Sequence, residues 1–168
     1  MMHRKHISWF LVPVLAAFFV TPTRDATAQA TSTPEERAQW VAITHQLESS
    51  PLDDSVDKQG ETALKQVSDA HDIHVPLCPA LLSEFNGMKY AYAHTITRQY
   101  MLASAAFIIE NPGKAGDTKA MSLAAVESVL KTYSAILQQK PEAKAKPLDN
   151  LLKKQSEGKL PDALKQCP

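Results

Sequence analysis

Met121-Ser-Leu-Ala-Ala-Val-Glu-Ser-Val-Leu-Lys-Thr-Tyr-Ser-Ala-Ile-Leu-Gln-Gln-Lys-Pro141 decides the fold class. Leu123, Val126, Leu130, Tyr133 and Leu137 step by three and four, and Val129 and Ile136 widen the stripe. That is the period of an α-helix with one apolar face. Asp117 stands where an N-cap is wanted, and Pro141 cannot continue a helix, so both ends are written into the chain. A stripe this wide must be covered by other helices, and the flanking chain supplies them.

Immediately upstream, Asn111-Pro112-Gly113 reads as a turn that ends a helix over residues 91–110. Residues 100–109 of it are apolar almost all round, which belongs in the middle of a bundle. The run is too short for a membrane span, which needs about 20 apolar residues. Further back, Pro79 can open a helix holding Leu81, Leu82, Phe85 and Met88, which Asn86-Gly87 threatens to break. Residues 69–79 read as irregular or briefly extended: Ile73, Val75 and Leu77 alternate, and Pro76 and Pro79 bracket the end. Leu52, Val56, Gly60, Ala63 and Val67 on one stripe mark a helix beginning near Asp53, in which Gly60 costs up to about 1 kcal/mol relative to Ala and lets another helix approach. Thr33-Pro34-Glu35-Glu36 carries the signature of a capping box, opening a helix with Trp40, Ile43 and Leu47 on one face.

Downstream, Leu148, Leu151 and Leu152 mark a shorter helix stopped by Gly158, and a final turn near residues 161–166 leads to Cys167. Strand signals are weak throughout. The expectation is an all-α domain over residues 31–168, a single bundle of five to six helices.

The N-terminus is of another kind. Arg4 and Lys5 precede a fourteen-residue, mostly apolar run at 7–20, and a polar stretch then ends in Ala26-Thr27-Ala28-Gln29-Ala30. Cations, a short apolar run and small residues in that order describe a cleavable secretory signal over residues 1–30, cut after Ala30 or alternatively after Ala28. Pro13 and the brevity of the run argue against an anchor. The protein is therefore expected outside the cytoplasm, in periplasm or medium, with no stable membrane anchor after cleavage.

From Thr31 onward there are 15 Lys plus Arg against 17 Asp plus Glu, a net of −2. Near-neutrality argues against a nucleic-acid binder, which needs a basic face. The charge is uneven: residues 31–90 carry 4 basic and 10 acidic groups, residues 138–168 carry 7 and 4. No aromatic residue interleaves Lys144, Lys146, Lys153 and Lys154, so a surface for stacking bases is missing there. Cys78 and Cys167 are the only cysteines. In an exported chain an even count predicts a Cys78–Cys167 disulfide, and the alternative is two free thiols.

The polar cluster that most suggests chemistry is Asp69, His71, Asp72 and His74, with Cys78 nearby. These are ligand types that zinc takes, but the His71/His74 spacing is not one of the stronger patterns, and oxidation of Cys78 removes its thiolate. His71 and His74 are weak metal candidates, weighed against an exposed polar loop. His45 and His94 have no evident catalytic partner, and Ser104 lacks the elbow of a hydrolase nucleophile. Glu35-Glu36 and Asp53-Asp54 stand at helix starts, where negative charge offsets the helix dipole. No catalytic residues and no cofactor are assigned.

Val126-Glu-Ser-Val-Leu-Lys-Thr-Tyr-Ser-Ala-Ile-Leu-Gln-Gln-Lys-Pro-Glu142 resembles the second helix of a tetratricopeptide repeat, with Tyr133, Ile136, Leu137 and Pro141 at packing and terminating positions. The repeat's first helix is absent in register, and no copy recurs about 34 residues away, so the resemblance implies one helical hairpin in that style. More broadly, Leu47-Glu-Ser-Ser-Pro-Leu-Asp53, Met101-Leu-Ala-Ser-Ala-Ala-Phe-Ile-Ile-Glu-Asn-Pro112 and Leu148-Asp-Asn-Leu-Leu-Lys-Lys-Gln-Ser-Glu-Gly-Lys-Leu160 look like segments of small exported helical bacterial proteins of no assigned activity. That resemblance supports an exported helical domain and transfers no site. The leading expectation is a non-enzymatic module that binds a protein or peptide partner. The alternatives are a carrier of a small apolar ligand, with the 100–109 helix lining a cavity, and a metal-binding protein or enzyme using the loop from His71 to Cys78.

Overall fold

The computed structural model of the chain describes residues 31–167; the export signal expected over 1–30, with its expected cleavage after Ala30, lies outside them. Among the described residues there are seven α-helices and no strand: α1 (Pro34–Ser49), α2 (Asp54–Asp69), α3 (Pro79–Gly87), α4 (Ala93–Glu110), α5 (Thr118–Gln139), α6 (Lys146–Ser156) and α7 (Leu160–Ala163). The all-helical expectation holds. The count differs by α7, a single helical turn of four residues within the stretch where the sequence predicts only a final turn.

The ends of the helices follow the local chemistry. Thr33 and Glu36 form a complete capping box at α1. The Asp53 carboxylate accepts from the Ser55 and Val56 N–H groups and opens α2. Asp117 accepts from the Ala120 N–H and opens α5, which stops at Gln139, two residues before Pro141. After α6, Gly158 takes the left-handed conformation, φ +68°, that a side chain disfavours. Helix α3 ends at Gly87, so Met88 falls just outside it.

The second half of α4 is apolar almost all round because it separates two cores. Tyr100 and Ala103 belong to one cluster with Phe85, Val126, Tyr133, Leu148 and Leu160. Leu102 and Ala105 belong to the other, with Trp40, Ile43, Leu47, Ala63 and Val67. Helix α5 is long and apolar enough to cross a membrane by length and composition. Here it is the core helix, with Val126, Val129, Tyr133 and Ile136 fully buried. A polar seam ties α1, α4 and α5 together. Gln99 Nε2 donates to Thr44 O at 3.1 Å and Ser128 Oγ at 2.7 Å, and Thr132 Oγ1 donates to Leu47 O at 3.3 Å.

Cys78 and Cys167 form a disulfide, with Cα atoms 5.1 Å apart. It joins the residue before α3 to the residues after α7, and both cysteines are buried in the larger cluster. Such a bond forms and persists in an oxidising compartment.

Candidate functional site

Residues 71–78 join α2 to α3 without helix or strand of their own. Their sequence favours an extended path. Pro76 restricts Val75, and Pro79 restricts Cys78, pushing each away from helical geometry. Cys78 takes φ −78°, ψ 113° accordingly. Ile73, Val75 and Leu77 then line one groove together, as alternate residues of an extended chain do.

Both ends of this segment are fastened. At its start, Asp72 Oδ2 accepts from the Ser32 N–H and Ser32 Oγ, each at 3.0 Å, and from Arg37 Nη2 at 2.7 Å. Arg37 Nε donates in turn to Ser32 Oγ at 2.8 Å. The Ser32 N–H leads the causes that hold the Asp72 carboxyl down at about 2, against 3.8 for an unperturbed one, with Arg37 adding to it. At the far end, the Cys78 N–H donates to Tyr100 Oη at 3.1 Å inside the core, and the disulfide fixes the same residue. Between these anchors, the N–H and C=O groups of residues 73–77 have no hydrogen-bond partner among the described residues.

The groove beside this segment has a volume of about 180 Å³ and is mostly apolar. Leu64 and Val67 of α2 form one wall, Met101 of α4 another, and Ile73, Val75 and Leu77 the third. It opens at the edge of the smaller core, where Leu64 and Val75 are only partly covered.

The polar residues singled out from sequence are dispersed around this segment. Asp69 pairs with Lys65 at 2.6 Å, Asp72 is held by Ser32 and Arg37, and Cys78 is in the disulfide. His71 and His74 are exposed. No group of three or more His, Cys, Asp or Glu converges as a metal site among the described residues.

Sequence reasoning missed two pairings. His45 Nε2 lies 3.2 Å from Glu110 Oε1, and Nδ1 lies 3.6 Å from Glu48, so this imidazole bridges α1 to the end of α4. It stands on a cleft of about 150 Å³ floored by Ala103, Ala106 and Ser128. Arg98, in the first half of α4, is buried against α2: Nη2 donates to Asp57 Oδ1 at 2.7 Å, and Nη1 donates to Glu61 and to Asp57 O. His94 Nδ1 stands 3.4 Å from the same Glu61. An arginine just ahead of the apolar run of α4 was the available signal for this cluster, but spacing within α4 could not name its partners on α2. Ser104 Oγ donates to Tyr100 O, as a hydroxyl buried in a helix commonly does.

No family model, no curated protein and no solved structure matches this chain.

Proposed function

We propose that this protein is an exported, non-enzymatic module that binds a protein or peptide partner in the groove between α2, residues 73–77 and α4. The observation that carries this reading is the open apolar groove of Leu64, Val67, Ile73, Val75, Leu77 and Met101. An apolar concavity left in the surface of a small domain gains by burial against a partner, at roughly 25 cal/mol per Å² of apolar surface covered. Export is the reading of residues 1–30 together with the disulfide. Helices α4 and α5 are taken as a hairpin packed in the tetratricopeptide style, with Tyr133 and Ile136 on the packed face.

The test is selection of random short peptides displayed on phage against the full chain, with the Met101→Glu variant as counter-target. Met101 is only half-buried, so the variant is expected to fold, checked by its circular dichroism, and to carry a charge into the groove. Peptides enriched on the parent chain and lost on Met101→Glu are expected. Equal recovery on both would sink the reading. Export is checked by the mass of secreted protein, which is expected to begin at Thr31.

A further inference from the structure

We infer that the partner binds by strand addition: an extended peptide pairs its main chain with residues 73–77 and sends alternate apolar side chains into the groove. This rests on the groove reading above and adds to it the mode and the partner's conformation.

The argument starts from the main chain. In an extended segment the N–H and C=O groups of alternate residues leave on the same side, and those of the residues between leave on the other. Cys78 donates its N–H inward to Tyr100. The side shared by His74, Pro76 and Cys78 therefore faces the body of the protein, and Pro76 has no N–H to offer there. On the opposite side Ile73, which is buried, and the half-buried Val75 and Leu77 carry three donors and three acceptors that have no partner among the described residues. This is the chemistry of an unpaired sheet edge in a protein with no sheet among its described residues.

The edge and the groove are joined. Ile73, Val75 and Leu77, whose main-chain groups are unpaired, also line the groove with their side chains. A chain pairing with the edge thus projects every second side chain toward Leu64 and Met101. Main-chain bonds then supply affinity and the groove supplies selectivity for apolar residues at alternate positions. The segment is preorganised, because Asp72 is held by Ser32 and Arg37 and Cys78 by Tyr100 and Cys167. Ordering costs on binding fall mainly on the partner. A helical partner would fill the groove and leave the edge unsatisfied.

The experiment uses peptides recovered from the phage selection, synthesised with and without N-methylation at alternate residues, and titrated into the full chain. Strand addition predicts apolar residues at every second position of the recovered sequences. It predicts that exchange of the Ile73, Val75 and Leu77 amides slows by about tenfold or more on binding. It predicts that N-methylation in one of the two alternating registers weakens binding by at least about tenfold, and that Val75→Pro, which removes one donor from the outer side, does the same. Because Val75→Pro also trims a groove side chain, Val75→Ala serves as its control and is expected to lose less. Peptides with apolar residues spaced by three and four, bound with unchanged amide exchange and indifferent to N-methylation, would overturn strand addition while leaving the groove reading intact. Recovery indifferent to Met101→Glu would remove both.

Discussion

A Cβ at Gly60 would lie 2.9 Å from Leu47 Cδ1 and 3.1 Å from Arg98 Nε. Both neighbours are 1 % exposed, so a shift of either disturbs packed surroundings. Gly60→Ala should therefore lower stability by about 1 kcal/mol or more, the overpacking cost exceeding the gain in helix propensity. A rise in melting temperature would refute this account of the position. Arg98 gives an asymmetric prediction. Its side chain is 1 % exposed, whereas Asp57 and Glu61 are 47 % and 45 % exposed. Removing the arginine returns two carboxylates to water, while removing the carboxylates strands a buried cation. The pair Asp57→Asn and Glu61→Gln should cost about 3 kcal/mol in urea denaturation, and Arg98→Met clearly less. Asp72 titrates in a third way. Its carboxyl is held at about 2 when folded against 3.8 for an unperturbed one, so its contribution is complete above pH 4 and disappears as pH falls towards 2. Melting temperature should fall more steeply over that window in the parent chain than in Asp72→Asn.

At the scale of elements, Tyr133 joins α5 to the start of α6. Its hydroxyl accepts from the Ala145 N–H at 2.9 Å and donates to Asp149 Oδ1 at 2.7 Å. Tyr133→Phe leaves the buried Ala145 N–H without that partner and should cost about 1–3 kcal/mol by thermal or urea unfolding. Burial, reinforced by Asp149 against the opposing Ala145 N–H, pushes the Tyr133 hydroxyl up from 10.0 to about 12. A raised folded value means that this contribution is complete below pH 10 and lost between 10 and 12. The alkaline decline of stability should be shallower in Tyr133→Phe. The elements themselves were largely legible. Period, cap and stop residues placed α1, α2 and α5 within a residue or two, because those signals act over one turn of helix. Helix α7 was not legible: four residues have no period, and Leu160, with Leu164 just after the helix, is buried in a cluster that gathers residues distant in sequence.

Across the whole molecule, the disulfide closes a long loop, with a sequence separation of 89, around α3 to α7. Reduction, or Cys78→Ala with Cys167→Ala, should lower stability by about 2–5 kcal/mol and expose α7 to proteolysis before the rest of the chain. Thiol titration of unfolded, unreduced protein should find no free thiol. The same bond also holds one end of residues 71–78, so reduction should weaken binding of any peptide that pairs with residues 73–77.

The sequence by itself determined the helical class, most helix ends and the alternation of Ile73, Val75 and Leu77, because each is set by neighbours within a few residues. It also left the pairing of Cys78 with Cys167 as a matter of compartment and parity, and the structure closed it. Only the tertiary structure decided that Arg98 lies on Asp57 and Glu61, that His45 meets Glu110, and that residues 73–77 run along a groove with main-chain groups that have no partner among the described residues. These depend on which residues distant in sequence come together when α2 and α4 pack. The loop first weighed for its histidines thereby takes its interest from its backbone. An unpaired N–H is invisible in a residue's name and is defined only by what the folded chain fails to bring beside it.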